Sequence, residues 1–200
     1  MPKTNDPNLI SGTLPGNYQE ALNWKVTEKR SRVITVNIAG LCLFVVFGLI
    51  FSGLAASLGK LHEFRIGLRE LGSVLIAIVL IVILHELVHG LFMRIFGARP
   101  KYGVLWKGLM FYATSPEYAY QRNNYVLIAL APFIFISILV ILGMWLLQGT
   151  LWVALLGVCG IVNASGAVGD MWITMIILRF AATAYVIDER DGVRVFLPKP

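Results

Sequence analysis

His85, Glu86 and His89 stand together in "ILHELVHGLF", residues 83–92. On a helix, imidazoles four residues apart project from one face. That geometry lets both rings hold one Zn²⁺, with Glu86 near enough to take a proton from a water that the metal activates. Zinc brings the pKa of such a water near neutrality, and a carboxylate beside it serves as general base and then as proton donor to a leaving amine. The setting sharpens the reading. The triplet ends the apolar run "LGSVLIAIVLIVIL", where an ionisable group costs several kcal/mol unless it has a partner or a cavity. The competing reading is a chance His-Glu-x-x-His whose histidines are satisfied by hydrogen bonds between helices.

A catalytic zinc takes three protein ligands and keeps one position open. His62 falls near the opposite end of the same apolar run, and Glu63 and Glu117 fall in loops. Asp170 is the one acid in the last apolar run. His85 precedes Arg94 by nine residues and Asp170 precedes Arg179 by nine. At ~1.5 Å per residue both lie ~13–14 Å from a basic anchor, so two helices running the same way present them at one level. Asp170 is therefore the expected third ligand; its alternative role is a hydrogen-bond partner within the helix bundle. Asn163 shares a helical face with Asp170. It is a candidate for binding substrate backbone or polarising a carbonyl, or equally for an interhelical hydrogen bond. Gly157, Gly160, Ala164 and Ala167 form a small-residue stripe that lets another helix approach.

The elements that must carry these residues follow from composition. Of 200 residues, 58% are hydrophobic and only 14% charged, with a mean hydropathy of +0.76. A soluble fold of this size cannot hide that much apolar side chain. Val33–Gly59, Leu71–Met93, Tyr125–Leu147 and Leu151–Leu178 each reach the ~20 residues that cross a ~30 Å hydrocarbon core. Their continuous apolarity excludes the alternation of an outer-membrane barrel. The first run follows a long polar segment and reads as a retained anchor rather than a signal peptide. The expected fold is thus an all-α membrane protein with about four transmembrane helices.

Placing both termini in the cytoplasm puts 14 of the 17 basic residues inside and leaves Lys60, Arg65 and Arg69 outside. The positive-inside rule then gives an N-in, C-in protein. The net charge of +6 is explained by this topology, with no need for nucleic acid as a partner. Cys42 and Cys159 fall inside spans and read as packing residues.

Three segments divide the chain: a cytoplasmic segment 1–32, a transmembrane domain 33–180 and a tail 181–200. In the first, "NYQEALNWKVTEKRS" is expected to form a short interfacial helix with Trp24 at headgroup level. Between the second and third spans, the aromatic and β-branched residues of 101–113, punctuated by Gly103 and Gly108, predict one or two short strands. "SPE" at 115–117 predicts a helix start. The tail "AYVIDERDGVRVFLP" predicts a hairpin turning at Asp191-Gly192.

"HELVHG", the aromatic segment after it, "LAPF" at 130–133, "NASGAVGD" and the C-terminal hairpin resemble a family of small bacterial membrane proteins called zincin peptidases, a domain of otherwise unknown function. The resemblance covers most of the chain. A related likeness is to the site-2 protease type of intramembrane zinc metalloprotease, in which an aspartate from a later helix joins the two histidines. These resemblances imply His85, His89 and Asp170 as metal ligands and Glu86 as the catalytic acid/base. "LAPF", with Pro132, is similar to a Gly-Pro-containing helix start or kink in site-2 proteases. Those enzymes present their aspartate in Asn-Pro-Asp-Gly or Leu-Asp-Gly; here Asp170 lies between Gly169 and Met171.

The leading expectation is a zinc-dependent intramembrane endopeptidase that cuts a membrane-anchored protein within the lipid bilayer, with segment 101–113 holding the unwound substrate as an added strand. The alternative is a non-proteolytic metal-binding membrane protein, a sensor or scaffold. It needs the ligands but not Glu86. A transporter would show paired repeats and is the weaker third.

Overall fold

The computed structural model describes residues 14–59, 67–105 and 110–200. His62, Glu63, Trp106 and the basic residues Lys3, Lys60, Arg65 and Lys107 lie outside them. In chain order the elements are β1 (Tyr18–Lys25), α1 (Arg30–Leu58), α2 (Leu68–Ile95), β2 (Lys101–Leu105), β3 (Met110–Thr114), β4 (Ala119–Gln121), α3 (Arg122–Leu146), α4 (Trp152–Gly166), α5 (Val168–Ile177), β5 (Tyr185–Glu189) and β6 (Gly192–Pro198). Arg30–Leu58, Leu68–Ile95, Arg122–Leu146 and Trp152–Ile177 are each long and apolar enough to cross a membrane. The fourth is interrupted: α4 ends at Gly166, Ala167 leaves helical geometry at ψ 7°, and α5 resumes at Val168.

The sheets make the fold more than all-α. β2 and β3 pair as the expected hairpin. β5 and β6 form the expected C-terminal hairpin, but within a four-stranded antiparallel sheet of order β1-β6-β5-β4. β1 corrects the expected interfacial helix. Its residues "YQEALNWK" pair with β6 from Tyr18 opposite Pro198 to Lys25 opposite Gly192. Non-local pairing there overrides a helix-tolerant composition. The expected helix start at 115–117 is corrected too. Ser115–Tyr118 is a turn closed by the Tyr118 N–H on the Ser115 carbonyl at 3.0 Å, with proline at its second position, and α3 begins only at Arg122.

The chain divides into two compact units. One comprises 14–35, 86–130 and 170–200 among the described residues, and holds both sheets. Side chains alternate across β5 and β6. Val186, Val193 and Val195 face a core with Tyr125, Ile128 and Ile177, while Ile187 and Phe196 pack with Leu14 on the opposite side. In this unit α2 stops at a Schellman motif. Gly97 takes φ 93°, its N–H meets the Arg94 carbonyl, and the Ala98 N–H meets the Met93 carbonyl at 3.0 Å. Buried Met93 and Ala98 supply the apolar contact that accompanies the motif.

The other unit comprises 36–85 and 131–169, without the undescribed residues 60–66. Here the small-residue stripe does what its spacing predicts. A Cβ on Gly160 would overlap the Phe51 ring, and one on Gly157 would lie 3.5 Å from Ala55 Cβ. Phe51 and Ala55 are the buried residues of α1, so the two glycines mark where α1 and α4 touch. Most other large side chains on α1, among them Leu41, Phe44 and Leu49, are exposed, as lipid-facing positions require.

Candidate metal centre

Helix α2 is unbroken through the His-Glu-x-x-His run, so its own period sets His85 one turn before His89. Both imidazoles are nearly buried, at 9% and 8% exposure. Asp170 enters in the first turn of α5, just past the interruption at Ala167. Its Oδ1 lies 3.4 Å from His89 Nε2. His85, His89 and Asp170 each offer a ligand atom, and these atoms all lie within 4.8 Å of one another. The group is the one expected from the sequence.

The second nitrogen of each ring is already committed. His89 Nδ1 lies 3.0 Å from the carbonyl oxygen of Ile128. An acceptor there takes the Nδ1–H, and in the neutral ring Nε2 then carries the lone pair. His85 Nδ1 lies 3.0 Å from Asn163 Oδ1. The Asn163 amide is oriented by its other end, whose Nδ2 donates to the Pro132 carbonyl at 3.3 Å and faces Ser137 Oγ at 3.4 Å. Its oxygen is therefore the atom facing His85, which again places the proton on Nδ1 and the lone pair on Nε2. Two imidazoles with oriented Nε2 atoms and one carboxylate fit a zinc ion, whose histidine ligands commonly give their other N–H to an acceptor.

Glu86 is held by the hairpin that follows α2. Its Oε2 accepts the main-chain N–H of Ala113 at 2.7 Å, so β3 sets the direction of the carboxylate. The hairpin is seated on α2 at Gly90, where an added Cβ would overlap the Tyr102 hydroxyl. Glu117 is occupied elsewhere: Lys101 pairs with it at 2.5 Å and holds its carboxyl below the usual range.

Sequence reading missed Asp188. It is buried on the core-facing side of β5, where Tyr125 Oη donates to its Oδ1 at 2.5 Å. The Thr114 hydroxyl donates to its main-chain oxygen at 3.4 Å. Burial raises its pKa to about 6, against the opposing influence of the Thr114 and Tyr125 hydroxyls and of His89. In the sequence it sits in "IDERDG", which looks like a solvated turn. The signal that could have found it is the alternation of β5, which puts Asp188 on the face of Val186.

No solved structure matches the chain. Among curated proteins, an uncharacterized 24.7 kDa protein of Pyrococcus woesei is 31% identical over 116 residues, which cover 56% of this chain and 49% of that protein. The chain thus spans about half the length of that relative. A family model described as "Putative zincin peptidase" matches residues 78–185, a stretch that contains His85, Glu86, His89 and Asp170. With more than half of its length inside that match, this chain belongs to the zincin peptidase family so described.

Proposed function

We propose that this protein is a zinc-dependent intramembrane endopeptidase acting on a membrane-anchored protein. The observation that carries the reading is the convergence of one atom each from His85, His89 and Asp170 within 4.8 Å, with Glu86 on the same helix as the two imidazoles. His85, His89 and Asp170 hold the metal. Zinc, when bound, supplies Lewis acidity toward a carbonyl oxygen and makes a water acidic enough to attack near neutral pH. Glu86 takes the proton of the attacking water and delivers it to the departing amine nitrogen. The Ala113 N–H, donating to Oε2, keeps the carboxylate aimed. Asn163 acts on His85 as an orienting group, since both ends of its amide are engaged.

The substrate enters locally unwound, because a regular helix hides its carbonyls in hydrogen bonds. Both termini lie in the cytoplasm of a bacterial cell, where 14 of the 17 basic residues then fall. The decisive experiment uses purified protein in liposomes with a membrane-anchored reporter. Wild type should bind zinc and cut the reporter, while Glu86→Gln should keep its zinc and stop cutting. Cleavage that survives Glu86→Gln would defeat the peptidase mechanism. Zinc binding without cleavage by wild type of any anchored reporter would favour the sensor or scaffold.

A further inference from the structure

Pro132 lies inside α3, where a proline is expensive: it lacks an N–H, and its ring presses on the carbonyl four residues back. That carbonyl belongs to Ile128. In a regular helix it would accept the N–H of residue 132; here there is none to accept. The Ile128 carbonyl instead faces His89 Nδ1 at 3.0 Å. The proline's own carbonyl accepts Asn163 Nδ2 at 3.3 Å, and Asn163 Oδ1 meets His85 Nδ1 at 3.0 Å. One residue therefore stands behind both histidines. It frees the acceptor that fixes the ring of His89, and it supplies the acceptor that fixes the amide orienting the ring of His85.

We infer that Pro132 is a positioning residue for the metal centre, presetting both imidazoles as Nε2 ligands. The inference rests on the metal reading above and extends it to a residue that touches neither ion nor substrate. It also explains why a helix-breaking residue sits inside a continuous helix. An unused carbonyl in an apolar helix needs a donor, and the Nδ1–H of His89 is that donor.

The test is Pro132→Ala, read in two ways on purified protein in detergent. The alanine restores the N–H, which recaptures the Ile128 carbonyl for the helix. Zinc affinity, measured by competition with a chromogenic chelator, should fall ~10- to 100-fold, the range for loss of an outer-shell partner. The visible absorption of the Co²⁺-loaded protein should shift as the imidazoles lose their fixed orientation. The melting temperature of the metal-free protein should stay level or rise, because the helix gains a hydrogen bond. A purely structural proline would move stability and affinity together. Wild-type affinity and an unchanged Co²⁺ spectrum in Pro132→Ala would overturn the role of Pro132 alone. Failure of wild type to take up either metal would overturn the metal reading and this inference together.

Discussion

The main-chain N–H of Ala113 donates to Glu86 Oε2 at 2.7 Å, joining a carboxylate of α2 to the edge of a two-stranded sheet. The proposed general base is thus aimed by a backbone group that, proline apart, no substitution on β3 removes. What can be disturbed is the seat of the hairpin. Tyr102 lies against Gly90, one residue after His89. Gly90→Val should push the hairpin away and lower turnover roughly ten- to a hundredfold, as misplacement near 1 Å does. Zinc content should not change. Adding Tyr102→Ala should restore much of the rate, and the reporter assay with parallel metal analysis reads both.

Ligands and orienting groups should separate by magnitude. Asp170→Ala removes a proposed donor, and purified protein should carry far less than the ~one zinc per chain expected of wild type. Asn163→Ala leaves every donor in place but releases the His85 ring. Zinc should still bind, with affinity reduced ~10- to 100-fold in chelator competition. Equal losses in the two variants would mean that Asn163 does more than orient.

Contact between α1 and α4 depends on missing side chains. Gly160→Leu should destabilise the protein by roughly 1–3 kcal/mol, the usual cost of overpacking, because the Phe51 ring fills the space. Phe51→Ala in the same chain should recover part of the loss. Gly72→Ala is the control, since nothing lies within 4 Å of its added carbon. Thermal unfolding in detergent ranks the four proteins.

Asp188 makes the metal-free protein sensitive to pH with a definite sign. Burial raises its pKa to about 6, whereas an unfolded aspartate titrates near ~3.9. Between those values the folded chain holds a proton that the unfolded chain has lost, so stability falls as pH rises from ~4 to ~6. The full difference is about 3 kcal/mol. Asp188→Asn should flatten that slope and leave the protein more stable than wild type at neutral pH. Denaturant unfolding across pH 4–7 measures it.

The apolar helices and the spacing of the candidate ligands were legible because their signals are local. Continuous apolarity marks a helix without reference to the rest of the chain, and His85 with His89 carries the spacing of its own helix. The Asp170 expectation came from depth, counted from Arg179, and its carboxylate does meet His89. What stayed hidden depends on partners far along the chain. "YQEALNWK" becomes a strand only because β6 lies beside it some 170 residues later. Ser115 looks like a helix cap until Tyr120 claims its hydroxyl. The Ala113 contact uses a main-chain group, which any residue type but proline would supply. Composition cannot announce it.

The left-handed stop at Gly97 has a consequence for the length of the chain rather than its chemistry. Each residue of α2 turns whatever follows by ~100° and advances it ~1.5 Å. One residue inserted between His89 and Gly97 would keep the His-Glu-x-x-His face intact yet swing the exit of the chain by more than a quarter circle, carrying the donor of Ala113 out of reach of Glu86. That short interval is a phase-setting spacer, tolerant of changed side chains and intolerant of a changed count.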